Sequence, residues 1–236
     1  MIIYQPKNGY CYNSDTYFLY NFIGLNLLKF KNIQGELLDV GSGSGILGIL
    51  LSKKYPKLIL NSCEIQDQFA FLTKKNTQIN NITTTLFQGS YITYEFPKEF
   101  DIVVSNPPFY PSSVVQSDNE NIKIARYNDN LPLEDFIYKT SKILKSKGKF
   151  FFCYDVQLLS RIIILLEKYK LNLESIQFLH PKKEKKASLV MIYARKNSKS
   201  LMQILPPLIM FDGKDFSQEV QKIYDSVQVH SIKTDN

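Results

Sequence analysis

Cysteine is scarce in this chain, and long apolar runs are missing altogether. The 236 residues contain three cysteines, Cys11, Cys63 and Cys153. They are scattered, odd in number and without Cys-x-x-Cys spacing. That excludes a disulfide framework and a cysteine-rich zinc site, and it reads as a reduced, cytoplasmic chain that needs no metal. No apolar run reaches the roughly 18 residues of a membrane helix, and no basic-apolar-small leader opens the sequence, so no membrane partner is expected. A P-loop is excluded because no Gly-Lys-Ser/Thr follows the glycine-rich stretch. A dehydrogenase would need a catalytic histidine or a Tyr-Lys pair as proton relay, and neither stands at a suitable spacing.

What remains is a chain with 44% hydrophobic residues, enough for one sizeable core with a small accessory segment. Its formal net charge is +7 and its pI is about 9.1, which favours a polyanionic partner. The basic residues are grouped. Lys182, Lys183, Lys185 and Lys186 form a compact loop between two apolar runs. Lys139, Lys142, Lys145, Lys147 and Lys149 precede the strand-like Phe150-Phe151-Phe152. Contacts from such groups to phosphates make binding sensitive to salt.

The stretch Asp39-Val40-Gly41-Ser42-Gly43-Ser44-Gly45 follows an apolar strand and precedes an apolar helix. Strand, glycine-rich turn and helix open a nucleotide-binding βαβ unit. Two patterns fit. Gly43-x-Gly45-x-x-Gly48 matches dinucleotide binding, and Asp39-x-Gly41-x-Gly43-x-Gly45 matches S-adenosylmethionine binding. Glu64 ends the next strand, where a carboxylate can accept both ribose hydroxyls of either cofactor.

Asn106-Pro107-Pro108-Phe109 breaks the tie. It follows the buried strand Phe100–Ser105, at the carboxyl end where open α/β sheets bind ligands. Proline fixes its own φ and restricts the residue before it, so Asn106 and Pro107 are held extended. The Asn106 side-chain oxygen and the Pro107 carbonyl can then face one NH₂ group, while Phe109 covers its flat surface. An adenine N6, a cytosine N4 or a glutamine amide would fit.

Along the chain, strands are expected at 36–40, 58–64, 83–88, 100–105 and 149–154. Helices are expected at 15–30, with Asp15 near the cap, and at 45–55, 67–80, 133–146 and 156–169. Residues 106–131 read as a long polar loop over the site. A closing hairpin spans 173–180 and 187–195, and 197–236 reads as a polar tail with short structured pieces. The expected fold class is α/β, a Rossmann-like, mostly parallel sheet with an antiparallel last strand.

The glycine pattern, Glu64 and Asn106-Pro107-Pro108-Phe109 together resemble a class I S-adenosylmethionine-dependent methyltransferase acting on a planar amino nitrogen. The segment Gly9-Tyr10-Cys11-Tyr12-Asn13-Ser14-Asp15-Thr16-Tyr17-Phe18-Leu19 is similar to the opening of the bacterial tRNA(Val) adenine-N6 methyltransferase family, as are Ala125-Arg126 and Leu205-Pro206-Pro207-Leu208. The resemblance implies a seven-stranded methyltransferase sheet, with S-adenosylmethionine as cofactor, bound by Asp39, Gly41, Gly43, Gly45, Glu64, Ser90 and Asn106. It implies catalysis by Asn106, Pro107 and Phe109, and contact to tRNA by Tyr12, Asp15, Arg126 and the lysines at 182, 183, 185 and 186. It divides the chain into a substrate-side segment, 1–35, a methyltransferase domain, 36–196, and an extension, 197–236, acting as a monomer. One departure is Ser90, where many relatives carry an aspartate near the cofactor adenine.

Two other readings compete. A protein glutamine methyltransferase shares Asn-Pro-Pro, but its separate N-terminal helical domain does not fit the about 35 residues ahead of the glycine-rich strand. A non-catalytic RNA-binding module with the same fold would not need an intact Asn106 loop.

Overall fold

Residues 1–7, 11–107 and 131–234 are described by a computed structural model. The stretch that the sequence presents as a long loop over the site, apart from Asn106, Pro107 and Leu131, lies outside them.

The centre is a sheet whose strands lie side by side in the order 208–209, 171–180, 189–196, 144–155, 100–105, 35–40, 58–64 and 84–88, with 203–204 also on 171–180. Its core strands are β2 (Gly35–Val40), β3 (Leu58–Glu64), β4 (Thr84–Gln88), β5 (Phe100–Ser105), β6 (Leu144–Asp155), β7 (Leu171–His180) and β8 (Leu189–Lys196). All neighbours in this set run parallel except β8, which is antiparallel to both β6 and β7. The expected sheet is therefore present, and the antiparallel strand is the last of the seven in chain order. The short strands β9 (Gln203–Ile204) and β10 (Leu208–Ile209) extend its edge.

Alternation along the strands feeds two cores. Leu37, Val104, Phe151 and Cys153 face one side, with helices α1 (Ser14–Leu27) and α2 (Ile46–Lys54). Leu38, Val103, Phe150 and Phe152 face the other, with α4 (Leu133–Ile143) and α5 (Leu159–Lys168). Helix α3 (Asp67–Ile79) packs beside α2, against β3 and β4. Strands buried on both faces read as continuous apolar runs, which is why these elements stand out in the sequence.

Some boundaries differ from expectation. The cap of α1 is Asn13, whose side chain accepts the Asp15 amide; Asp15 lies in the first turn. Helix α4 stops at Ile143, and β6 begins at once with a bulge in which Lys147 takes φ +65°. The larger difference concerns the chain ends. Strand β1 (Ile2–Pro6) pairs in parallel with β13 (His230–Thr234), in register from Ile2 against His230 to Pro6 against Thr234. Helix α6 (Gln218–Val227) is capped by Ser217 and buries Val220, Ile223 and Val227 in the α1 core. Tyr224 meets Tyr17 and Phe18 edge-on, at 5.4 and 6.4 Å between centroids. Helix α1 is apolar on most sides because the sheet covers one flank and α6 another. Residues 211–216 form a small hairpin, β11 (Phe211–Asp212) and β12 (Asp215–Phe216).

Candidate active site

The order of the sheet reverses between β2 and β5, so their carboxyl ends diverge and leave a crevice. The glycine-rich turn after β2 forms one wall. Gly41 and Gly43 have φ of +64° and +56°, and a Cβ on either would meet no atom within 4 Å. Both therefore supply left-handed backbone and an open face toward the cleft. Gly48 serves a different need: a Cβ there would stand 2.7 Å from Leu60 Cδ1, so it lets α2 approach β3. Both glycine patterns in the sequence thus have a physical basis here, and the pattern alone does not choose the cofactor.

Two carboxylates fix the turn. Asp39 is buried and accepts the Gly48 amide at 2.9 Å. Burial pushes its carboxyl up to about 7; the Gly48 N–H opposes this and the charge of Glu64 adds to it. Glu64, 5% exposed, accepts the Gly43 amide at 2.8 Å and the Gln66 amide at 2.9 Å. Burial raises its pKa against the pull of those amides. A carboxylate has about four lone-pair sites, so both oxygens can still accept a hydroxyl. Ser90, half-buried just beyond β4, is joined to this corner through Gly89, whose amide donates to the Glu64 carbonyl at 2.9 Å. Ser90, Glu64 and Gly45 do not themselves line the cleft.

A set of residues absent from the sequence reading holds the turn from α3. Thr73 Oγ1 donates to the Gly43 carbonyl at 2.8 Å and lies 3.1 Å from Ser42 Oγ. Asn76 Nδ2 donates to the carbonyls of Ser44, at 2.8 Å, and Tyr4, at 2.9 Å, and its Oδ1 accepts the Tyr4 amide at 2.8 Å. The available signal was spacing. Thr73, Asn76, Thr77 and Asn80 recur at helical intervals, and all four are buried, so this polar stripe is an internal one.

Asn106 forms the facing wall. Ser105 Oγ donates to the Val40 carbonyl at 2.8 Å and ties the ends of β5 and β2. Asn106 Nδ2 donates to Thr16 Oγ1 at 3.0 Å, and Oδ1 accepts the Cys153 thiol at 3.0 Å. The cleft is lined by Tyr12, Thr16, Asp39, the turn from Gly41 to Ser44, Phe69 and Asn106, among others. Tyr12 is placed by the Tyr17 hydroxyl, 3.2 Å from its own, and by Gln5, which accepts its amide at 3.0 Å. Asp15 instead pairs with the Asn13 side chain at 2.8 Å, and burial raises its pKa. Pro107 is buried, while Phe109 and Arg126 lie outside the described residues.

The basic groups divide between the two ends of the sheet. Strand β7 is parallel to β6, so the 182–186 loop emerges at the same end as Asn106. Three strand spacings, roughly 14 Å, separate β7 from β5. Lys183, Lys185 and Lys186 are exposed and Lys182 is half-buried. Lys145, Lys147 and Lys149 lie at the opposite, amino end, where Lys145 pairs with Asp101 at 2.8 Å. They cannot reach this cleft.

Residues 24–170 match the family model of the methyltransferase small domain. The chain belongs to that family. A methyltransferase of this kind uses S-adenosylmethionine, and the cleft fits that cofactor: Gly41 and Gly43 leave room beside the turn, and the buried Ser44 Oγ there has no partner among the described residues. Among curated relatives, a tRNA1(Val) (adenine(37)-N6)-methyltransferase of Pedobacter heparinus is 24% identical over 66% of this chain and 67% of its own length. A release factor glutamine methyltransferase of Flavobacterium psychrophilum is 29% identical over 70% of this chain and 62% of its own. The chain thus spans about two thirds of the length of these relatives. A solved structure of a predicted O-methyltransferase from Agrobacterium tumefaciens superposes with a TM-score of 0.66, at 17% identity, over 93% of this chain and 99% of that one. That likeness supports the class I methyltransferase fold alone.

Proposed function

We propose that this methyltransferase transfers a methyl group to the N6 amino nitrogen of an adenine in RNA, with tRNA(Val) beside the anticodon as the substrate. The observation that carries the reading is the Asn106 carboxamide, fixed at the carboxyl end of β5 across a crevice from the glycine-rich turn. The glycine-rich turn and Glu64 would hold S-adenosylmethionine, which would supply a methyl group already activated on a sulfonium. The chain's task is alignment. The remaining lone pair of Asn106 Oδ1 and the Pro107 carbonyl accept the two N–H groups of the substrate. This aims the nitrogen lone pair at the methyl and stabilises the positive charge that develops on nitrogen. Transfer would exchange the sulfonium's C–S bond for the new C–N bond, and the proton released from nitrogen would pass to solvent. Phe109 stacks on the base, which must leave its own stack to enter. Single-stranded RNA loops present such bases at little cost.

The exposed lysines of the 182–186 loop favour a polyanion over a protein glutamine, because they lie at the cleft's end of the sheet. The likeness to a release factor glutamine methyltransferase keeps that substrate as the second reading. The test is single-turnover transfer of a labelled methyl group to unmodified tRNA, with digestion to nucleosides. N6-methyladenosine is expected, and Asn106→Ala should lower the rate by about 10² or more, with a far smaller loss of cofactor affinity. Full activity in Asn106→Ala would sink the catalytic role, and label on glutamine of a release factor but not on RNA would transfer the assignment to the second reading.

A further inference from the structure

Asn106 is gripped from two sides by residues that the proposed reaction has not yet used. We infer that Thr16 and Cys153 are positioning residues that fix the plane of the Asn106 carboxamide; the inference rests on the function proposed above. The torsion that turns an asparagine amide is soft and roughly two-fold, so its oxygen and nitrogen exchange places easily unless neighbours distinguish them. Here they do. Thr16 comes from the first turn of α1 and stands 3.0 Å from Nδ2. Cys153 comes from β6, the strand beside β5, and its sulfur stands 3.0 Å from Oδ1. Both are buried, at 3% and 0% exposure, while Asn106 itself is half-buried at the cleft.

The chemistry of the pair suits an acceptor that must stay available. Burial pushes the Cys153 thiol well above its ordinary range, so it stays protonated and meets Oδ1 as a donor. A thiol is a weak donor, and it leaves the second lone pair of Oδ1 little weakened for the substrate. Thr16 accepts at the other end of the same amide, which polarises it toward Oδ1. A stronger donor in place of Cys153 would hold the same plane while competing more with the substrate.

The experiment is a set of single-turnover rates with S-adenosylhomocysteine binding measured on each variant, which also checks folding. Thr16→Val should lower the rate by about tenfold, the worth of one hydrogen bond, and leave binding within about twofold. Thr16→Ser should restore the rate. Cys153→Ala should cost about threefold, and Cys153→Ser, which keeps a donor, should lose less. The decisive arm is the double variant. With Asn106→Ala already present, Thr16→Val should change the rate by less than about twofold, because there is no carboxamide left to position. An undiminished loss in that background would overturn the inference, as would a loss that appears as weaker S-adenosylhomocysteine binding at an unchanged rate. Failure of the proposed reaction reads out elsewhere, as full activity in Asn106→Ala alone.

Discussion

The two ends of the central sheet use aspartate and glutamate in opposite ways. At the amino end, Glu36 pairs with Lys98 at 3.0 Å and Asp101 with Lys145 at 2.8 Å, all on partly exposed side chains. At the carboxyl end, Asp39 and Glu64 are buried and accept from backbone amides. Exposed pairs are screened by solvent and contribute roughly 0–1 kcal/mol. Buried carboxylates tied to amides carry a desolvation cost that the fold must offset, and in return they hold one backbone shape. The cofactor turn is built at the costly end, where rigidity serves a ligand.

The comparison can be broken most directly by pH. Unfolded chain releases the Asp39 proton near 3.8, while the native state keeps it to about 7. Between these values the native state binds more protons, so stability falls as pH rises through the window and is level above it. The expected loss is on the order of a few kcal/mol. Asp39→Asn should flatten much of that slope in urea titrations from pH 4.5 to 8, leaving the part from Glu64, whose raised pKa has the same sign. An unchanged slope would mean that Asp39 is ionised and solvated in the native state.

A second break is Glu64→Ala, which frees the Gly43 and Gln66 amides. S-adenosylhomocysteine should bind more weakly by about 1.5–3 kcal/mol in calorimetry. Retained affinity would show that Thr73 and Asn76 alone suffice to shape the turn. The basic groups sharpen the contrast. Replacing Lys182, Lys183, Lys185 and Lys186 with alanine should reduce the slope of log affinity for tRNA against log salt by up to about 3, at roughly 0.7 per single-strand contact. The same change at Lys145 and Lys147 should leave that slope alone, and equal effects at both ends would remove the loop from the interface. The smallest effect is expected for Lys145→Ala, about 0–1 kcal/mol of stability and less in high salt. Asp101 would keep the Glu36 amide as a partner.

The legible parts of this molecule were local. Leu37-Leu38-Asp39-Val40 running into Gly41 announces strand and turn within a few residues, and Asn106-Pro107 carries its own backbone restraint. The bracing was not legible, because it is long-range. Thr16 meets Asn106 across 90 residues and Asn76 meets Tyr4 across 72. Helix α6 was passed over for a different reason: Val220, Ile223 and Val227 are a thin apolar line on a helix otherwise rich in polar residues. Strand β1 is five residues long and ends in Pro6, and its partner begins at His230.

That pairing orders events in time. β1 leaves the ribosome first among the described strands and its partner last, so the first strand waits for every strand between them before its ladder can form. Closing a loop of this length costs only a few kcal/mol in entropy, but the closure comes late. Tyr4 is a member of that ladder and is also tied to Asn76, which carries the Ser44 carbonyl. One brace of the cofactor turn therefore runs to a ladder that closes only after synthesis has passed β13, and a chain caught short of that strand lacks the ladder behind that brace.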